Sequence, residues 1–414
     1  MLSAPTPSRP VEEPTHDRAV GALLGAVAAA ALVGAPTALA HRFTAAALAP
    51  GTPGRDEAAL LAHLTRTALT ATAPATNPPT ALTTTAAAPP LTPANGPDAG
   101  VADPVHRAWV GVLGSLVLTA TAPATQPELE HTTTNDPLGA SWQALTRTPQ
   151  PAHDPAQSSF ACTHLVEAVW SAYHARGDLA AMYTGALAGA RWGCSALPLQ
   201  ALRRLSEHTD PHALTSAALV ALQGPHPDRW PQRPIRDRPE QRLPPFAVPH
   251  PLDPQVLLGN LDYLRTHPGS VDAAVSLCRT HPGDAPHLAG PDWVRVWLHD
   301  TPGKNSNLHF TLDEAAAAVA GLRAEGKRVL LHCWAGASRT PAVAARYASA
   351  ALGAPPLASM TTLIHAVGGH LDNPTLSRAV AELSGLELPD PAAVLFPQGI
   401  PPRRPELRKV KVSG

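Results

Sequence analysis

The chain has 414 residues, 48 of them proline, with aromatic residues at 4% and a formal net charge of −1. That length gives room for two or three domains. The balanced charge offers no electrostatic footprint for nucleic acid or an anionic membrane. The alanine- and proline-rich composition leaves limited material for a dense core and points to irregular segments. Four cysteines, at 162, 194, 278 and 333, have no metal-ligand spacing and read as thiols of a reducing, cytoplasmic compartment.

Residues 1–14 read as a flexible N-terminus and residues 15–222 as a helical domain. Residues 19–40 carry no charge and end in Ala38-Leu39-Ala40, like a signal-peptidase site. Glu12, Glu13 and Asp17 precede them, and Gly21, Gly25, Gly34 and Pro36 interrupt them. A buried helix is therefore favoured over a signal or membrane segment. Leu-Thr-Ala-Thr-Ala-Pro-Ala-Thr occurs at 69–76 and again at 118–125. Nothing around the copies recurs with a fixed period, so they are low-complexity sequence, not a repeat architecture. Residues 72–105, rich in Thr, Ala and Pro, read as a low-complexity loop.

Two segments of this domain carry a resemblance. Asp17-Arg18-Ala19-Val20-Gly21-Ala22-Leu23-Leu24-Gly25 resembles the opening helix of the ADP-ribosylglycohydrolases. Gly185 to Gly193, followed by Ala196-Leu197-Pro198, resembles a late helix of the same family. The resemblance covers residues 15–210 in patches and implies a mostly α scaffold with two magnesium ions held by aspartates. The aspartates are missing. Residues 26–34 and 65–76 contain no acidic side chain, and before the late helix only Asp178 stands where two are wanted. The domain reads as a degenerate member with no metal site, and Asp178 as a helix N-terminal residue, not a ligand.

Residues 223–250 follow as a Pro/Arg-rich linker, semi-rigid, with Arg229, Arg233, Arg236, Arg238 and Arg242. A second domain is expected over residues 251–390, and a flexible basic tail over residues 391–414. Val271 to Cys278 is an apolar strand. Trp293 to His299 reads as a strand running into the turn Asp300-Thr301-Pro302-Gly303. Thr311 to Gly326 is an amphipathic helix, with Asp313 and Glu314 in its first turn and Gly326 at its end. Arg328 to His332 is a short apolar run of the kind found in buried parallel strands. Pro341 to Ala348 forms a helix with proline near its first turn, and residues 356–385 hold two more helices around Asn373-Pro374.

Between that last strand and helix lies His332-Cys333-Trp334-Ala335-Gly336-Ala337-Ser338-Arg339-Thr340. Cys333 and Arg339 have five residues between them. The thiolate is a nucleophile, and the guanidinium is a planar fork that matches phosphate oxygens. The intervening residues are small apart from Trp334, so their N–H groups can curl inward as an anion nest at a helix N-terminus. Metal-free phosphoester cleavage also needs a proton donor for the leaving group. Asp300 precedes Cys333 by 33 residues, while Asp292 and Asp313 are weaker candidates.

The nine residues resemble the signature of the protein tyrosine phosphatases, in particular the dual-specificity branch. The resemblance implies an α/β fold with a central, mostly parallel sheet and a phosphocysteine mechanism without a cofactor. It implies Cys333 as nucleophile, Arg339 with the amides of Trp334, Ala335, Gly336, Ala337 and Ser338 as phosphate ligands, and Asp300 as general acid. Ser338 would hydrogen-bond the departing thiolate, and His332 would orient the loop from behind. The substrate would be a protein phosphorylated on tyrosine, with serine or threonine left open. Ala335 and Ala337 flank Gly336 where lysines would suit extra phosphates, so phosphoinositides rank lower. Two other readings stand beside it. One is a phosphate-binding interaction module with weak catalysis. The other is an N-terminal domain that binds ADP-ribose or an ADP-ribosylated or other protein partner.

Overall fold

The computed structural model describes residues 13–49, 56–73, 101–130, 136–225, 230–231 and 242–408. Residues 1–12 of the segment expected to be a flexible N-terminus, most of the expected 72–105 loop, and Arg229, Arg233, Arg236 and Arg238 of the expected linker lie outside the described residues, as do the last six residues of the expected tail. The protein is mostly helical, with one small mixed five-stranded sheet. Its contacts divide it into two compact units. The first is Met1–Thr148 with Leu165–Cys194 and Pro211–Pro231, and the second is Pro149–His164 and Ser195–Asp210 with Gln232–Gly414.

The described part of the first unit is helical: α1 Glu13–Val33, α2 Thr37–Leu48, α3 Glu57–Ala71, α4 Pro104–Thr119, α5 Pro127–Glu130, α6 Pro137–Arg147, α7 His164–Trp192 and, after α8 Leu199–Ser206 of the second unit, α9 Pro211–Gln223. Helix α1 packs against α2, α3, α4 and α9. Its stretch Pro14–Val33 is long and apolar enough to cross a membrane, and 83% of that apolar window is buried inside the protein. The reason lies in its glycines. A Cβ on Gly25 would sit 2.2 Å from the Gly185 carbonyl oxygen, and one on Gly189 would sit 2.0 Å from that of Gly21. The two segments that carry the glycohydrolase resemblance thus interlock backbone to backbone. Gly177 (φ 76°) breaks α7, so Asp178 begins its second half.

Much of the proline sits at helix starts, where φ is already right and the missing N–H costs nothing. Asp103, Asp136, Asn373 and Asp390 each cap a helix whose next residue is proline. At these four positions proline is ordered punctuation. Each copy of the eight-residue repeat begins as a helix end, Leu69–Ala71 in α3 and Leu118–Thr119 in α4.

The second unit holds the sheet: β1 Ala247–His250, β2 Asp253–Asn260, β3 Ala273–Ser276, β4 Trp293–Arg295 and β5 Val329–Cys333, in spatial order β1-β2-β5-β3-β4. Strand β1 is antiparallel, and the other three pairings are parallel. Its helices are α8 and α10 Leu261–Thr266, α11 Leu308–Ala324, α12 Arg339–Ala351, α13 Pro356–Ala366, α14 Pro374–Glu382, α15 Pro391–Leu395 and α16 Pro405–Arg408. Central β5 is buried along its whole length. Leu330 packs with Leu257, Leu261, Ala274 and Trp293 from the strands and helix around it.

Three boundaries differ from expectation. Residues 242–250 form no free linker but lead into edge strand β1, where Pro249 is tolerated. The tail through residue 408 packs, with α15 and α16 in it. Helix α11 starts at Leu308, so Asp313 and Glu314 lie beyond its first turn, where Asp313 pairs with Arg346 at 2.7 Å and Glu314 accepts the Leu199 amide at 2.6 Å.

Candidate active site

The buried apolar run of β5 delivers Cys333 to the sheet's C-terminal edge, and α12 begins six residues later at Arg339. Cys333 is opposite Asn260 of β2, and His332 is opposite Ser276 of β3. The turn between needs glycine. Gly336 has φ +70°, and a Cβ there would lie 2.5 Å from the Gly259 carbonyl oxygen. The Gly336 amide points at Cys333 Sγ at 3.3 Å, and the amides of Ala335, Ala337 and Ser338 donate to no group among the described residues. Cys333 itself is only 1% exposed.

Arg339 is buried and fixed from one end. Its Nη1 donates to the carbonyls of Leu277 at 2.5 Å and Leu298 at 2.9 Å, at the exits of β3 and β4. Its Nε is buried with no hydrogen-bond acceptor among the described residues. Burial works against the Arg339 cation, but Asp300, Cys333 and Cys278 more than offset this and raise its pKa. Burial pushes the Cys278 thiol up to about 12, with Arg339 opposing, so Cys278 is held protonated.

Asp300 lies at the mouth of the loop, 41% exposed in its side chain. Its Oδ2 is 3.7 Å from Arg339 Nε, and its Oδ1 accepts the Ser338 hydroxyl at 2.7 Å. Asn373, the cap of α14, donates its Nδ2 to the Asp300 carbonyl at 2.8 Å. Cys333, Arg339, Asp300 and Ser338 are thus brought together, with Trp334 to Ala337 as the turn between. Ser338 is turned to Asp300 rather than to Cys333. The weaker carboxylates are engaged elsewhere, Asp292 with Lys327 and Asp313 with Arg346.

His332 braces the loop from behind through a chain of donors. Trp293 Nε1 donates to Ser276 Oγ at 2.9 Å, so the Ser276 hydroxyl proton goes to His332 Nε2 at 2.6 Å. The imidazole proton then sits on Nδ1, facing the Cys333 carbonyl at 3.4 Å. Burial brings the His332 pKa from 6.5 down to about 4. Between those values the unfolded chain holds one more proton than the folded one, so stability falls as pH falls through that window. His332 is expected to account for about 3 kcal/mol of that loss. Urea midpoints measured from pH 7 to 4 should drop less steeply, by one proton, in His332→Gln.

The sequence gives no functional signal for Ser276, Trp293 or Asn373. Only the Asn373-Pro374 pair left a local signal, that of a helix cap. In the first unit Asp178 stands without a converging set, and among the described residues no three His, Cys, Asp or Glu side chains group to hold a metal ion. No protein-family model, curated protein or solved structure matches the chain.

Proposed function

We propose that the second unit is a cysteine-dependent phosphatase of α/β fold, acting on phosphotyrosine and allowing phosphoserine or phosphothreonine in a protein substrate, with the helical first unit as a separate domain. The observation that carries this reading is the buried Nε of Arg339, 3.7 Å from Asp300 Oδ2 and without a hydrogen-bond acceptor among the described residues, in one turn with Cys333 and with three amides that donate to no described group. Such a set of donors is built for a tetrahedral anion.

In this reading Cys333 Sγ attacks phosphorus as thiolate, the S–P bond forms and the ester P–O bond breaks. Arg339 and the loop amides bear the charge spread over the three equatorial oxygens. Asp300 gives its proton to the leaving oxygen and then, as carboxylate, takes one from the water that opens the phosphocysteine. No group beyond these is required. All four cysteines are free thiols, which fits a cytoplasmic, reducing compartment.

The test is hydrolysis of p-nitrophenyl phosphate by the whole chain in the presence of EDTA. Turnover should persist there, and Asp300→Asn should lower kcat by about a hundredfold or more. A folded wild-type chain with no turnover would leave a phosphate-binding module in place of an enzyme.

A further inference from the structure

The tail expected to be a free basic segment instead sends one arginine under the phosphate loop. Arg404 is only 9% exposed. Its Nη2 donates to the Ala335 carbonyl at 2.5 Å and its Nη1 to the Val367 carbonyl at 2.7 Å. The guanidinium lies 3.6 Å over the Phe246 ring, and Glu406 pairs with Nε at 2.8 Å. The chain is shaped to admit it: Gly368 has φ +56°, and a Cβ there would stand 2.7 Å from Arg404 Cγ. Three residues on, Leu407 packs on Ala337 and Leu243, with Trp334 and Ala335 alongside.

A loop that turns its amides toward an anion must turn carbonyls away from it, and each buried carbonyl then needs a donor. The Trp334 carbonyl is met by the Leu261 amide at 3.4 Å, and the Ala335 carbonyl by Arg404. We propose that Arg404 is a positioning residue of the phosphate loop, which fixes the Ala335 peptide so that the neighbouring amides face the anion. The C-terminal segment thereby supports the active site through the Ala335 peptide. Burial lowers the pKa of Arg404, and Glu406 and Cys333 act against that fall, so its charge lies within electrostatic reach of the nucleophile.

This rests on the phosphatase reading for its purpose, but its test does not require turnover. Calorimetric titration of the whole chain with tungstate, a tetrahedral oxyanion, reads the loop directly. Arg404→Ala should weaken tungstate binding about tenfold, the value of one charge-assisted hydrogen bond. Arg404→Lys keeps the charge but cannot span two carbonyls, and should fall between the two. Added guanidinium ion at millimolar level should restore part of the alanine variant's affinity, which a purely structural role would not allow. If Arg404→Ala melts far below the wild type, Arg404→Lys carries the comparison. A folded variant binding within twofold of wild type overturns the proposal, as does a wild-type chain that binds no tungstate. Tungstate binding that depends on Arg404, in a chain that does not hydrolyse p-nitrophenyl phosphate, removes the phosphatase reading and leaves this one standing.

Discussion

Cys333→Ser should lower p-nitrophenyl phosphate hydrolysis by about four orders of magnitude or more while leaving oxyanion binding near the wild-type level. The size follows from what surrounds the position. A serine hydroxyl needs a base, and none is free to serve it. His332 presents Nε2 to Ser276 on the far side of the strand, and in the attack step Asp300 must itself carry the proton for the leaving oxygen. The anion site is built from Arg339 and from amides, so removing sulfur leaves it intact. Groups that act as one machine lose nearly everything when the nucleophile goes. Steady-state kinetics and a tungstate titration on the same preparation decide the matter. Substantial residual turnover in the serine variant would mean that another residue attacks phosphorus.

Gly189→Ala should destabilise the first unit by about 3 kcal/mol or more, although alanine is ordinarily the better helix former by roughly 1 kcal/mol. The added Cβ would meet the Gly21 carbonyl oxygen at 2.0 Å and its carbonyl carbon at 2.6 Å. Both are backbone atoms of a buried helix, so neither can step aside cheaply. Gly111 of α4 is the matched control, because nothing lies within 4 Å of a Cβ placed there. Gly111→Ala should raise stability by about 0.5–1 kcal/mol. Thermal melts of the two variants should therefore move in opposite directions. A stabilised Gly189→Ala would show that α1 and α7 are not locked through these glycines.

The elements legible in the sequence are those whose cause is local. The run Val329 to Cys333 is apolar without alternation because β5 is covered on both faces, and Pro341 marks the start of the helix after it. Cys333, Arg339 and Asp300 carried chemistry in their residue types and spacing, and they converge. What could not be read was remote. Ser276 meets His332 across 56 residues, and Asn373 meets the Asp300 carbonyl across 73. Such contacts leave no period in the chain. Strand β1 was hidden by Pro249, since proline in a ladder is tolerable only where an edge is known in advance. Arg404 sat in a stretch whose composition matched a solvated tail, and composition says nothing of a single buried fork.

The second unit also recruits two pieces of chain that precede the linker, 149–164 and 195–210. Arg203 from the second piece donates to the Pro291 carbonyl and pairs with Glu325, and the amide of Leu199 is given to Glu314, whose pKa burial has already raised. Phe160 from the first sets its ring against Phe310. A fragment begun at the Pro/Arg-rich segment would leave the half-buried Glu314 without its donor and Phe310 bare. The two halves are therefore not cassettes that recombination could shuffle at residue 223–250. A gene that inherited only the signature-bearing half would encode an incomplete fold, and the early pieces must wait on the ribosome for the sheet they will complete.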